Sequence, residues 1–123
     1  MKPARILWID CLGGLAGGVL VILFSGWISR LEGLPHSIVL FMGIANLSYG
    51  SYSLFVATRL TRGIRLVGSL AMANMAWMPI CLIVVWLHWE TLTLLGCIHV
   101  LGEGIYVGIL GGIEWSIRKR LVV

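Results

Sequence analysis

Four side chains able to move a proton or hold a cation recur on one stretch, TLTLLGCIHVLGEGIYVGILGGIEWSI (91–117): His99, Glu103, Tyr106 and Glu114. At about 100° per residue they fall within an arc of roughly 80° on one helix face. Gly104, Gly108, Gly111 and Gly112 fall on the opposite face. Other polar groups sit in comparably apolar surroundings: Asp10, Asn46, Tyr49 and Asn74. A carboxyl one helical turn from an imidazole is the minimum equipment for a titrating or cation-binding site.

The elements that carry these groups follow from composition. The chain has 123 residues, 59% of them hydrophobic and 11% charged. A soluble domain is about a quarter charged, and a core of this length could not hide so much apolar surface. Lipid is the solvent that accommodates it. Four apolar runs, about 7–28, 36–58, 66–87 and 91–117, each approach the roughly 20 residues that a bilayer crossing needs. Backbone polar groups in hydrocarbon must satisfy one another, so the runs are helices. Their short connections make antiparallel neighbours, and the expected fold is an all-α, four-helix, up-down-up-down transmembrane bundle in one domain.

Orientation follows from charge. Of the nine Lys and Arg residues, all but Arg30 lie at the N-terminus, in the second loop or at the C-terminus. The positive-inside rule places both termini in the cytoplasm, with loops 29–34 and 88–90 outside. The expected location is a bacterial cytoplasmic (inner) membrane. The net charge of +4 is no nucleic-acid signal, because the basic residues sit at span ends. Arg59, Arg62, Arg65, Arg118, Lys119 and Arg120 are instead candidates for anionic lipid headgroups. Trp8 and Trp115 fall at one interface and Trp27, Trp86 and Trp89 at the other. Trp77 is the exception, well inside the third span.

Depth, counted at about 1.5 Å per residue from the span ends, groups the polar residues into two levels. Asn46, Tyr49, Asn74, His99, Glu103 and Tyr106 form an expected midplane cluster. Asp10 and Glu114 form an acidic pair nearer the cytoplasmic surface, where they could snorkel or pair with neighbouring Arg. A charged residue at the bilayer centre costs about 2.5–3.5 kcal/mol. An interhelical hydrogen bond returns about 0.6 kcal/mol on average. Glu103 is therefore expected to be neutral, paired with His99 or in contact with water, with an Asn carbonyl oxygen as the acceptor for a neutral carboxyl.

Small residues spaced by four let helices approach closely. Gly13, Gly14, Gly17 and Gly18 on the first span, and Gly104, Gly108 and Gly112 on the fourth, are expected packing positions. Since the fourth span's glycine face points away from its polar face, it is expected to meet another subunit, in a homo-oligomer or a larger complex. Cys81 and Cys97 lie at matched depths about the third loop and are expected as free thiols.

In length and span number the chain is similar to small multidrug resistance transporters, whose membrane Glu lies in the first span where this chain has Asp10. Gly13-Gly14 and Gly43-Ile44-Ala45-Asn46 resemble the first two spans of dual-topology fluoride channels. The third span, from Ser69 to Ile83, lacks that family's Thr-Thr-Phe-Ser run, and the charge bias argues against dual topology. Haem is disfavoured because His36 and His88 lie at span ends, leaving His99 as the embedded histidine.

No nucleotide loop, metal constellation or nucleophile–base pair is present in the sequence, so no catalytic residue, cofactor or metal is assigned. The leading expectation is a non-enzymatic structural or accessory membrane subunit packed through glycine faces. The alternatives are a small oligomeric transporter or channel with Glu103 as the titrating group, and a quinone- or lipid-binding subunit. The topology is checked by reporter fusions at Val123: activity confined to the cytoplasmic side is expected, and an extracytoplasmic signal would reverse the orientation.

Overall fold

A computed structural model describes residues 5–59 and 61–122. Lys2 and Val123, used above for orientation and as a fusion site, lie outside them. The described chain is helical: α1 (Arg5–Leu23), α2 (Ser25–Glu32), α3 (His36–Thr58), α4 (Ile64–Leu87), α5 (Leu94–Ser116) and the short α6 (Arg118–Leu121). Four of these, α1, α3, α4 and α5, are long and apolar enough to cross a membrane. The expected four-helix architecture is what the chain adopts.

The boundaries differ from expectation in one place that matters. The first span was expected to end near Ile28, with Glu32 in an external loop. Instead the helix breaks at Phe24 (φ −107°, ψ 21°) and resumes as α2 through Glu32. Backbone bonds run across the break, from the Phe24 amide to the Leu20 carbonyl and from the Ile28 amide to the Phe24 carbonyl. Gly33 then stops α2 in the left-handed conformation (φ 72°), with its amide and that of Leu34 both donating to the Ser29 carbonyl. That is the glycine-capped helix end expected where only a residue without Cβ fits. A Cβ on Gly33 would also collide with the Thr91 carbonyl oxygen. The stop docks α2 on the start of α5: the Thr93 amide donates to the Glu32 carbonyl (2.9 Å) and the Thr93 hydroxyl to the Leu31 carbonyl (2.9 Å).

The bundle consists of two tight pairs. α1 packs along α3, and α4 along α5, while the two pairs touch each other sparsely. Glycine makes the tight contacts possible. A Cβ on Gly14 would stand 2.8 Å from the Gly50 Cα, and one on Gly50 2.6 Å from the Leu15 amide nitrogen. Between α4 and α5, a Cβ on Gly104 would stand 2.8 Å from the Cys81 Cβ, and one on Gly111 2.7 Å from the Ala71 carbonyl oxygen. The glycine face of the fourth span is therefore covered by α4 of the same chain. The expectation that it is free for another subunit is corrected: a helix of the same chain is the nearest surface able to fill it. Gly108 belongs to the same contact, against Met78, whereas Gly112 has no atom of another segment within 4 Å of its would-be Cβ. Gly18 packs on Leu47 and Gly43, but Gly13 and Gly17 face a cavity rather than a helix.

Two apolar clusters fill the bundle. Ile6, Leu7, Val56, Val67, Leu70, Leu110 and Leu121 close the end that holds both chain ends. Val21, Met42, Trp77, Cys81, Val84 and Val100 fill the other half. Arg62, in the loop between α3 and α4, clamps the first of these ends. Its Nε donates to the Leu121 carbonyl (2.7 Å) and it is 8% exposed, so it is withdrawn from the headgroup set. Cys11, Cys81 and Cys97 are free thiols.

The glycine contacts set a stability contrast. Gly50→Val should destabilise the protein by about 1–3 kcal/mol through overpacking. Gly26→Ala, where nothing lies within 4 Å of the new Cβ, should be neutral or stabilise by up to about 1 kcal/mol. Thermal unfolding in mild detergent checks both; equal losses would mean that α1 and α3 do not meet as described.

Candidate functional site

Between the two helix pairs lies a cavity of about 320 Å³. Its walls are glycine and aliphatic carbon, interrupted by Asp10, Asn46, Tyr49, His99, Glu103 and Tyr106. It exists because α1 presents Gly13 and Gly17 to α5, so no side chain there fills the space. Tyr106, 47% exposed, lies across the α1–α5 gap with its hydroxyl beside Gly13.

On the side of the cavity nearer the α4–α5 loop, three titratable groups stand in a row. His99 Nδ1 faces the Glu32 carboxyl at 2.6 Å, and His99 Nε2 faces Glu103 at 3.2 Å. The Trp77 indole N–H donates to the other Glu103 oxygen at 3.0 Å. Both imidazole nitrogens donate only in the imidazolium form. The row therefore holds its labile proton on the ring or on one of the two flanking carboxyls. The expected Asn partner for Glu103 is thus replaced by His99 and Trp77. An indole can only donate, so Glu103 is an acceptor in that bond.

The second polar group lies toward the chain ends. Asn74 Nδ2 donates to Asp10 Oδ2 and to Glu114 Oε1, both at 2.6 Å, joining α1, α4 and α5 through one amide nitrogen. The Ser53 hydroxyl of α3 stands beside Asp10. Asp10 is 4% exposed, and Ser53, Asn74 and Glu114 are 0% exposed. This corrects two expectations. The acidic pair does not snorkel or pair with arginine, and Asn74 belongs with it rather than with Glu103.

The physical reason is the tilt of Cα–Cβ bonds toward each helix's N-terminus. α4 starts at the end holding the chain termini, so Asn74 leans toward that end. α5 starts at the opposite end, so Glu103 leans away and Glu114 leans up toward Asn74. Depth counted along the axis misses this divergence. The two carboxyls on Asn74 lie within about 5 Å of each other by these bond lengths. Both ionised, they would repel by about 3 kcal/mol at an effective dielectric constant of about 20.

Of the expected midplane cluster, Asn46, Tyr49, His99, Glu103 and Tyr106 all line the cavity; Asn74 lies outside it. Tyr49 also stands edge-on to Trp77, with ring centroids 5.6 Å apart. Sequence reasoning missed Glu32. The usable signal was the run from Ser25 to Gly33, which stays helical up to a glycine cap. Trp77, expected well inside the third span and apart from the interfacial tryptophans, is explained by its bond to Glu103. Among the described residues no group of three or more His, Cys, Asp and Glu is arranged to hold a metal ion. No protein-family model matches the chain, nor does any curated protein or solved structure.

His99 is the central member of the row. Replacing it by Ala leaves Glu32 and Glu103 without a shared donor and should cost about 1.5–3 kcal/mol, the range for hydrogen bonds to charged groups. Trp77→Phe removes one interhelical bond and should cost nearer about 0.6 kcal/mol from that bond. Unfolding titrations in mixed micelles check the order; a larger loss in Trp77→Phe than in His99→Ala would contradict the arrangement.

Proposed function

We propose that the chain is a small multi-pass transporter whose cavity takes a cationic solute, with both termini on the cytoplasmic side. The observation that carries this is the cavity lining. Two carboxyls, Asp10 and Glu103, face a space of about 320 Å³, and His99 is the one basic side chain among the described residues there. That space equals about ten waters at roughly 30 Å³ each, more than a bare ion needs. Apolar walls with a few convergent polar groups are the usual form of a small-molecule site. The rings of Tyr49 and Tyr106 add faces that attract an organic ammonium group.

Glu103 would be the group that exchanges partners. Its bond to His99 is the longest in the row, at 3.2 Å, so an entering cation competes for that oxygen first. The sparse contact between the α1/α3 and α4/α5 pairs supports rocking of one rigid pair against the other, as in carriers that bind near the midplane. The structural-subunit reading loses the contact surface expected on α5, because α4 covers Gly104, Gly108 and Gly111. Membrane lipids are the partners we propose for Arg59, Arg65, Arg118, Lys119 and Arg120.

The test is uptake of radiolabelled tetramethylammonium into proteoliposomes under an inside-negative potential. Wild type should exceed protein-free liposomes, and Glu103→Gln should lose at least about tenfold of the rate, equivalent to about 1.4 kcal/mol. Uptake by wild type no faster than by lipid alone, or uptake unaffected by Glu103→Gln, would contradict this function.

A further inference from the structure

The Asp10–Asn74–Glu114 group contains more oxygen than its hydrogen bonds use. Three buried side-chain atoms have no partner: Ser53 Oγ, Asn74 Oδ1 and Glu114 Oε2. All three residues are 0% exposed. Buried polar atoms are almost always paired, so three orphans around one pair of carboxyls call for an occupant. We propose that Asp10, Ser53, Asn74 and Glu114 form a binding site for a dehydrated sodium ion.

The ligand chemistry fits. Carboxylate, amide carbonyl and hydroxyl oxygens are the ligands of hard cations, and no sulfur or imidazole intervenes. The Asn74 amide keeps its N–H bonds to both carboxyls and offers its unpaired Oδ1 to the ion. The ion then lies among four side chains drawn from α1, α3, α4 and α5. A shared proton alone does less: it joins the two carboxyls and leaves Asn74 Oδ1 unpaired.

The charge favours a monovalent ion. Two carboxyls this close in an apolar interior do not both ionise unaided, as paired carboxyls elsewhere show. With one proton retained, the site carries a single negative charge, which one sodium ion neutralises. Asp10 also lines the cavity, so the ion has a way in. The site shares Asp10 with the cavity, but Ser53, Asn74 and Glu114 lie outside the cavity lining.

Thermal unfolding of the purified full chain in detergent, with NaCl replacing KCl at fixed ionic strength, tests this without any transport assay. The unfolding temperature should rise with sodium and saturate, as for a ligand that binds the folded state alone. Equilibrium binding of radioactive sodium should approach one ion per chain. Ser53→Ala, which keeps the packing, should weaken the sodium midpoint by about tenfold, and Asp10→Asn by at least as much. A flat response to sodium, an equal response to potassium, or a response to calcium or magnesium alone would overturn the assignment. So would variants that lower the unfolding temperature yet keep the wild-type sodium midpoint.

Discussion

One amide side chain ties the two halves of this bundle together toward the chain ends, as the Glu32 contacts to Thr93 and His99 do at the other end. Asn74 gives one N–H to Asp10 on α1 and the other to Glu114 on α5, each at 2.6 Å. In hydrocarbon an unpaired carboxyl is costly by several kcal/mol, whichever form it takes. Asp10 and Glu114 can stay buried only where a donor reaches both, and α4 supplies it. Since α1 and α5 otherwise touch sparsely, this pair of bonds fixes where the two helix pairs meet. That in turn decides the width of the space beyond it, where Gly13 and Gly17 leave room and Tyr106 lies across the opening.

Within each pair the constraint is different. α1 and α3 meet through Gly14, Gly18, Gly43 and Gly50, with backbones so close that a Cβ would collide. α4 and α5 meet in the same way through Gly104, Gly108 and Gly111. Such contacts are rigid and have no polar content. The polar residues are consequently forced into the seam between pairs, where packing is looser and acids can face a cavity. Four of the five acidic residues lie along that seam: Glu32, Glu103, Asp10 and Glu114. Glu90 is exposed in the α4–α5 loop. Tight pairs with a loose, acidic seam are the arrangement from which the proposed transport and the proposed ion site both follow.

The spans, their number and their antiparallel order were legible because hydropathy reports directly on lipid burial. So was the shared face of His99 and Glu103, since helical spacing alone sets it. Asn74 was not placed, because axial depth ignores the opposite lean of side chains on antiparallel helices. Glu32 was missed because a charged residue beyond an apolar run looks like a loop residue, and nothing in its own identity says that α2 continues to it. The glycines of α5 were recognised as a packing face, but the spacing of small residues does not say which helix fills it. Arg62 looked like its neighbours Arg59 and Arg65; only the fold shows that the Leu121 carbonyl lies within its reach.

The most direct test of the bridging role of Asn74 is a double-mutant cycle between Asp10 and Asn74, with Asp10→Ala, Asn74→Ala and the double variant unfolded reversibly in mixed micelles. A shared buried hydrogen bond between α1 and α4 predicts a coupling energy of about 1–2 kcal/mol, within the range for contacting residues and above the membrane average of about 0.6 kcal/mol. Additive losses, with no coupling, would mean that Asp10 and Asn74 do not meet and that the seam is assembled in some other way.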